Sequence, residues 1–127
     1  MPNQTEGNRA VVREFYDLAF NRKKPREAAK HIGATYRQHN PTAPDGSEAF
    51  IEFVTVWTRQ VPQLRVDLKR LIAEGDLVVV HSHFTMKPGD PGTAVMDIFR
   101  LEGGKIVEHW DVMQPVNEKP ANSNTMF

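Results

Sequence analysis

The chain contains no cysteine, which removes disulfides, thiolate nucleophiles and cysteine-ligated zinc from consideration and leaves the redox compartment open. It has no surplus charge of either sign: sixteen Lys and Arg stand against sixteen Asp and Glu. The longest basic block is Arg22-Lys23-Lys24, so neither nucleic acid nor an anionic membrane surface finds an electrostatic footprint. No apolar run approaches the roughly 20 residues that span a bilayer. The first residues, MPNQTEGNR, have no apolar signal core. These absences leave a small molecule or a second copy of the chain as the expected partner, and a soluble, cytoplasmic protein as the expected setting. A length of 127 residues suits one domain with one core.

What is present divides near Pro62. Before it, Val11, Phe15, Leu18 and Ala19 recur at helical spacing between Thr5 and Lys24. PREAAKHIG reads as a short second helix, with Pro25 in its first turn and Gly33 just past its end. ATYRQHNP favours an extended segment ending at Pro41. Ser47 is the expected cap of a third helix, in which Phe50, Phe53, Val54 and Trp57 form one stripe. After Pro62, LRVDLKRLIA, LVVVHSHFTM, TAVMDIFRL and KIVEHWDVM are strand-like runs separated by turn chemistry. Segregated helices and strands give an α+β class, with the helices on one face of the sheet. The expected organisation is a single domain over residues 1–116 and a C-terminal tail over 117–127, ending in Met126 and Phe127, that is either loose or docked as a strap.

Three runs carry polar residues where a core prefers valine. Alternation puts His81 and His83 on one face of their strand, Asp97 beside Phe99 on the next, and His109 beside Asp111 on the last. A three-residue turn at 102–104 pairs Asp97 with His109, whereas a four-residue turn pairs it with Trp110. A solvated sheet face would account for such residues without any function. Against that, every run has apolar residues on both faces, and all five groups can be placed on one. Enclosed by Phe53, Trp57, Phe84 and Phe99, they would form a polar cluster in an apolar cavity, with perturbed proton affinities.

ATYRQHNPTAPDGSEAFIEFV, GDLVVVHSHFT and DIFRLEGGKIVEHWDVMQPV, in that order after a long first helix, resemble the NTF2-like superfamily and within it the SnoaL-like polyketide cyclase group. The resemblance covers essentially the whole chain. It implies a cone of three N-terminal helices on a strongly curved, mostly antiparallel sheet enclosing a deep pocket. It also implies a homodimer through the outer sheet face, which would carry Ile98, Ile106, Trp110 and Val112. In SnoaL-like cyclases an Asp of the last strand is the general base of an aldol condensation, and Asp111 matches it. In ketosteroid isomerases a DxFRF strand carries a protonated Asp that donates to the enolate oxygen, and Asp97 of DIFRL matches that one. The isomerases' shuttling Asp is replaced here by His39 and Asn40, and their oxyanion Tyr corresponds roughly to Phe15, with Tyr16 beside it. Steroid isomerisation by that apparatus is therefore not implied.

The resulting expectation is proton abstraction next to a carbonyl, in aldol-type cyclisation or isomerisation, without cofactor or metal. Asp111 is the base. His109 or His39 donates to the oxyanion, as does Asp97 if protonated. Asn40 orients the substrate, and Gln38 with His81 or His83 lines the pocket mouth. Two alternatives stand beside it. One is a ligand-binding module without turnover. The other is a metal enzyme in which His81 and His83 bind the ion and His39, His109 or Asp111 completes the site.

Overall fold

The structure is a computed structural model, and it describes residues 3–127. Helix α1 (Gln4–Tyr16) starts at Asn3, whose side chain accepts from the Glu6 amide at 2.8 Å. Its buried stripe is Val12, Phe15, Tyr16 and Ala19, an i, i+3, i+4, i+7 set. The helix then widens into a π turn over Asp17–Asn21. Asn21 ends that turn by exchanging two 2.9 Å hydrogen bonds with the backbone of Val66, which ties the helix to the sheet. Helix α2 (Pro25–Ala28) and a 3-10 turn to His31 lead into strand β1 (Ile32–Gln38). Helix α3 (Ser47–Gln60) takes Gly46, not Ser47, as its N-cap.

Strands β2 (Arg65–Glu74), β3 (Leu77–Thr85), β4 (Thr93–Glu102) and β5 (Lys105–Pro115) follow as antiparallel neighbours. The sheet order is β1-β5-β4-β3-β2, with β1 parallel to β5. The sheet is mixed and does not close into a barrel. The helices cover its inner face, where Val78, Val80, Phe99 and Leu101 join Val12, Phe15 and Val54 in one core.

The β4–β5 hairpin decides which side chains reach that core. Gly103 and Gly104 both have positive φ, 56° and 76°, the signature of a two-residue turn, and they pair Glu102 with Lys105. Continued unchanged, that register would set Asp97 against Trp110. A bulge intervenes: Leu101 pairs with Ile106 but Arg100 pairs with Glu108, leaving Val107 as the extra residue. Ile106 and Val107 are consequently both buried. Beyond the bulge Asp97 faces Asp111 and Phe99 faces His109, so the expected pairing of Asp97 with His109 is corrected by two residues while the shared face is kept. Ile106, expected on the outer face, belongs to the core for the same reason. Gly33, two residues past the 3-10 turn, lies inside β1, and a Cβ there would sit 2.9 Å from Val107 Cγ1. The bulge and the missing side chain belong together.

On the outer face Met96, Ile98 and Val112 are exposed. Residues 116–127 form no helix or strand. The Phe127 ring nevertheless returns to this face, stacking on His83 at 4.2 Å and on His81 at 5.7 Å, with Lys69 Nζ 5.5 Å from its centroid.

Candidate active site

A cavity of about 300 Å³ lies between the inner sheet face and the helices. Nine of the chain's eleven aromatic side chains line it, Trp110 and Phe127 being the other two. The rings lock one another in place: Trp57 stacks on Phe84 at 5.8 Å, Phe15 on Phe50 at 4.9 Å, and Phe20 meets Phe84 edge-on at 5.2 Å. Into this apolar wall β4 and β5 place Asp97, His109 and Asp111, and β1 with the segment after it places Tyr36, Gln38 and Asn40.

Asp97 is the hub and is only 4 % exposed. Its Oδ2 accepts from the Tyr16 hydroxyl, and its Oδ1 lies 2.7 Å from His109 Nε2. The imidazole is held from the other side as well, with Nδ1 2.7 Å from Gln38 Oε1. The orientation of that amide follows from its neighbours, since Oε1 also accepts from the Asn40 backbone amide at 3.0 Å and Nε2 donates to the Tyr36 hydroxyl at 3.2 Å. Nδ1 must therefore carry a proton. The contact between Nε2 and Asp97 then contains one shared proton, as neutral acid and imidazole or as carboxylate and imidazolium, and the pair has no net charge in either form. Asp111 stands next to it, Oδ2 3.8 Å from His109 Nε2, with each oxygen 3.0 Å from Asn40 Nδ2. Each of these groups is supported by a second residue, which is how a site keeps its geometry before a ligand arrives.

Asp97, His109 and Asp111 thus come together, and Gln38, Asn40, Phe53, Trp57, Phe84 and Phe99 line the same cavity. Three expected site residues do not. His39 lies outside, stacked on Trp110 at 4.7 Å and 2.7 Å from Glu108 Oε2. That contact, followed by the one from Arg100, holds the Glu108 carboxyl below the usual carboxylate range. His81 and His83 are also on the outer face: Val80, not His81, pairs with Asp97, so strand alternation turns both imidazoles away. Arg70 Nη1 meets His81 Nδ1 at 2.9 Å, and His83 Nε2 lies 2.8 Å from the Pro91 carbonyl. A metal site built from His81 and His83 with His109 or Asp111 is therefore sterically closed, the sheet standing between them. Among the described residues, the set that can gather on one ion is Asp97, His109 and Asp111, whose ligand atoms lie within 4.8 Å of one another.

Two phenols outside the expected site residues belong to this cluster. Tyr16, not Phe15, reaches Asp97, and the spacing Val12, Phe15, Tyr16, Ala19 was the signal for it. Tyr36 contributes a buried hydroxyl that accepts from Gln38 and donates to no described residue. Burial, and after it the Asp97 charge, raises the ionisation of both phenols above the ordinary 10.0. These are the chain's only tyrosines. Below pH 10.0 both phenols are protonated folded or unfolded. Above it the unfolded chain releases protons that the folded one keeps, and stability falls by about 1.4 kcal/mol per pH unit for each. An alkaline titration should therefore show no tyrosinate absorbance while circular dichroism remains native, and both phenols ionising together at unfolding. Tyrosinate appearing at pH 10.0 in the folded protein would contradict the burial of both.

The model of a family described as "SnoaL-like domain" matches residues 12–109. No curated protein matches the chain in sequence. Among solved structures, TsrD from Streptomyces laurentii is 25% identical with a TM-score of 0.71, over 89% of this chain and 91% of that one. A protein described as a SnoaL-like polyketide cyclase, from Jannaschia sp., is 22% identical with a TM-score of 0.72, over 89% and 90%. An NTF2-like protein of unknown function from Mesorhizobium loti is 21% identical with a TM-score of 0.73, over 90% and 96%.

Proposed function

The chain belongs to the SnoaL-like domain family, and from that premise we propose that it removes a proton next to a carbonyl in a small substrate, as in aldol-type cyclisation or isomerisation. The observation that carries this reading is a carboxylate, Asp111, held by Asn40 at the wall of an aromatic cavity beside the Asp97–His109 pair. Asp111 takes the proton. The enolate oxygen that forms needs a donor placed before the reaction begins. Both Asp97 oxygens and both His109 nitrogens are already engaged, so the donor is the hydroxyl of Tyr36, whose own proton is uncommitted. Asp111, protonated by the abstraction, returns the proton to the product, which restores the base, while the Asp97–His109 pair stands beside it with Nε2 3.8 Å from Asp111 Oδ2. The description of one structural neighbour as a polyketide cyclase agrees with this chemistry. The exposed Met96, Ile98 and Val112 support pairing of two outer sheet faces in a homodimer.

The test needs no knowledge of the natural substrate. Acetophenone, tetralone and methyl arylacetates incubated with the protein in deuterium oxide should lose α-proton NMR signal faster than buffer controls. Tyr36→Phe should slow that exchange about 10²-fold. Absence of enhanced exchange across the panel would leave a binding module. The trio Asp97, His109 and Asp111 also supports a second reading, in which a divalent ion draws the enolate oxygen. Exchange abolished by a chelator and restored by a metal would favour that reading over the metal-free one.

A further inference from the structure

Residues 38–40 leave the sheet alongside β5, and they do so in step with it. Gln38 pairs with His109 in the parallel register, and the His39 amide donates to the His109 carbonyl at 2.9 Å. Beyond that bond the segment and β5 are joined by side chains, in the same order: Gln38 inside on His109, His39 outside on Trp110, Asn40 inside on Asp111. The end of a strand is where pairing frays first. Two supports of the site are nevertheless anchored there.

Neither inner contact fixes the backbone that carries it. Thr42 donates to Asn40 Oδ1 from its amide at 2.9 Å and from its hydroxyl at 2.6 Å, which settles the way the Asn40 amide faces but not where it stands. The outer contact is of another kind. The His39 ring lies 4.7 Å from that of Trp110 with 4° between their planes, and its Nε2 is 2.7 Å from Glu108 Oε2. Glu108 is held in turn, Oε1 accepting from Arg100 Nε at 2.9 Å. A flat stack and a directed contact together leave the ring one place to sit. Glu108 and Trp110 alternate along β5 with His109 and Asp111, so His39 grips from outside the same stretch whose inward side chains face the cavity.

Taking the proton-abstraction reading for what the site does, we infer that His39 is a positioning residue: from the outer face it holds residues 38–40 against β5, and so sets Gln38 on His109 and Asn40 on Asp111. An error of about 1 Å in such a placement costs up to about 10²-fold in rate.

Three variants and two readouts test this on the full chain. His39→Ala removes both outer contacts, His39→Phe restores the stack, and His39→Gln restores the contact with Glu108. On the ketone and ester panel, His39→Ala should lower kcat for α-deuterium exchange by about tenfold or more with KM changed less than about twofold, and each of the other two should recover part of the loss. The second readout needs no turnover. By NMR, the Asn40 side-chain amide protons, whose nitrogen is 3.0 Å from both Asp111 oxygens, should exchange with water at least about tenfold faster in His39→Ala, while the backbone amides of Val78 and Phe99 keep their protection. Overturning results are an Asn40 amide that does not respond to His39→Ala, core amides that lose protection along with it, or recovery in neither His39→Phe nor His39→Gln. If the original protein catalyses no exchange while the Asn40 amide responds as expected, the catalytic reading falls and the placement by His39 stands. Catalysis intact in His39→Ala does the reverse.

Discussion

Asp111→Asn should reduce enzyme-catalysed α-deuterium exchange by about 10²–10⁴-fold, the span of a positioned general base. The same change should move the denaturation midpoint little. The substituted amide has the shape of the carboxylate, and after rotation its oxygen still accepts from Asn40 Nδ2, which now lies 3.0 Å from both oxygens of Asp111. What disappears is the basic lone pair in an apolar cavity. Binding of an uncharged ester should survive, because no part of that affinity needs a negative charge. The split between lost exchange and retained binding distinguishes a base from a structural residue, which would lower both. If exchange by the substituted protein equals that of the original, Asp111 is not the base. The 3.8 Å neighbour His109 would then be the first group to examine.

The sheet was legible in the sequence because its information is local. Glu74-Gly75-Asp76 and Glu102-Gly103-Gly104 mark turns by chemistry alone, and all four strand runs after Pro62 are strands whose ends differ by a residue or two. The faces were not legible to the same degree, because face depends on pairing between strands and not on one strand. His81 and His83 alternate correctly with Val80 and Ser82, but their side relative to Asp97 is decided where Phe84 pairs with Thr93 across residues 86–92. A shift of one residue there exchanges inside for outside. Asp97 and Asp111 share a face only because Val107 bulges. The visible trace of that bulge is the apolar pair Ile106-Val107 where strict alternation would place one polar residue. The resemblance aligns the isomerases' Tyr with Phe15, and Tyr16, one residue and about 100° further round the helix, is the one that reaches Asp97. His39 enters the expected site because it and Asn40 stand where the resemblance places the isomerases' shuttling Asp. In an extended segment consecutive residues point opposite ways, so Gln38 and Asn40 facing inward require His39 to face out.

Two substitutions at Asp97 should separate its structural role from its chemical one. Asp97→Ala removes the acceptor of the buried Tyr16 hydroxyl and the partner of His109 Nε2 together. Leaving one side of a buried, hydrogen-bonded pair unmatched costs about 3–5 kcal/mol, enough to unfold a marginal domain, so activity measured on this variant alone would be uninformative. Asp97→Asn preserves every contact under one condition. With the proton of His109 on Nδ1, directed at Gln38 Oε1 at 2.7 Å, Nε2 offers a lone pair. The substituted amide can then donate to it while its oxygen accepts from Tyr16. The folded state should lose only about 1 kcal/mol, the net worth of one altered hydrogen bond, in a urea titration. Exchange activity should nevertheless fall, because an amide does not give up the proton that Asp97 and His109 share. Equal and large destabilisation by both substitutions would mean that an amide cannot keep the contacts of Asp97 with Tyr16 and His109, and that the role of Asp97 in holding the cluster together depends on its carboxyl group. The difference in unfolding free energy between the two variants, set beside their exchange rates, therefore separates what Asp97 contributes by holding Tyr16 and His109 from what it contributes through the proton it shares.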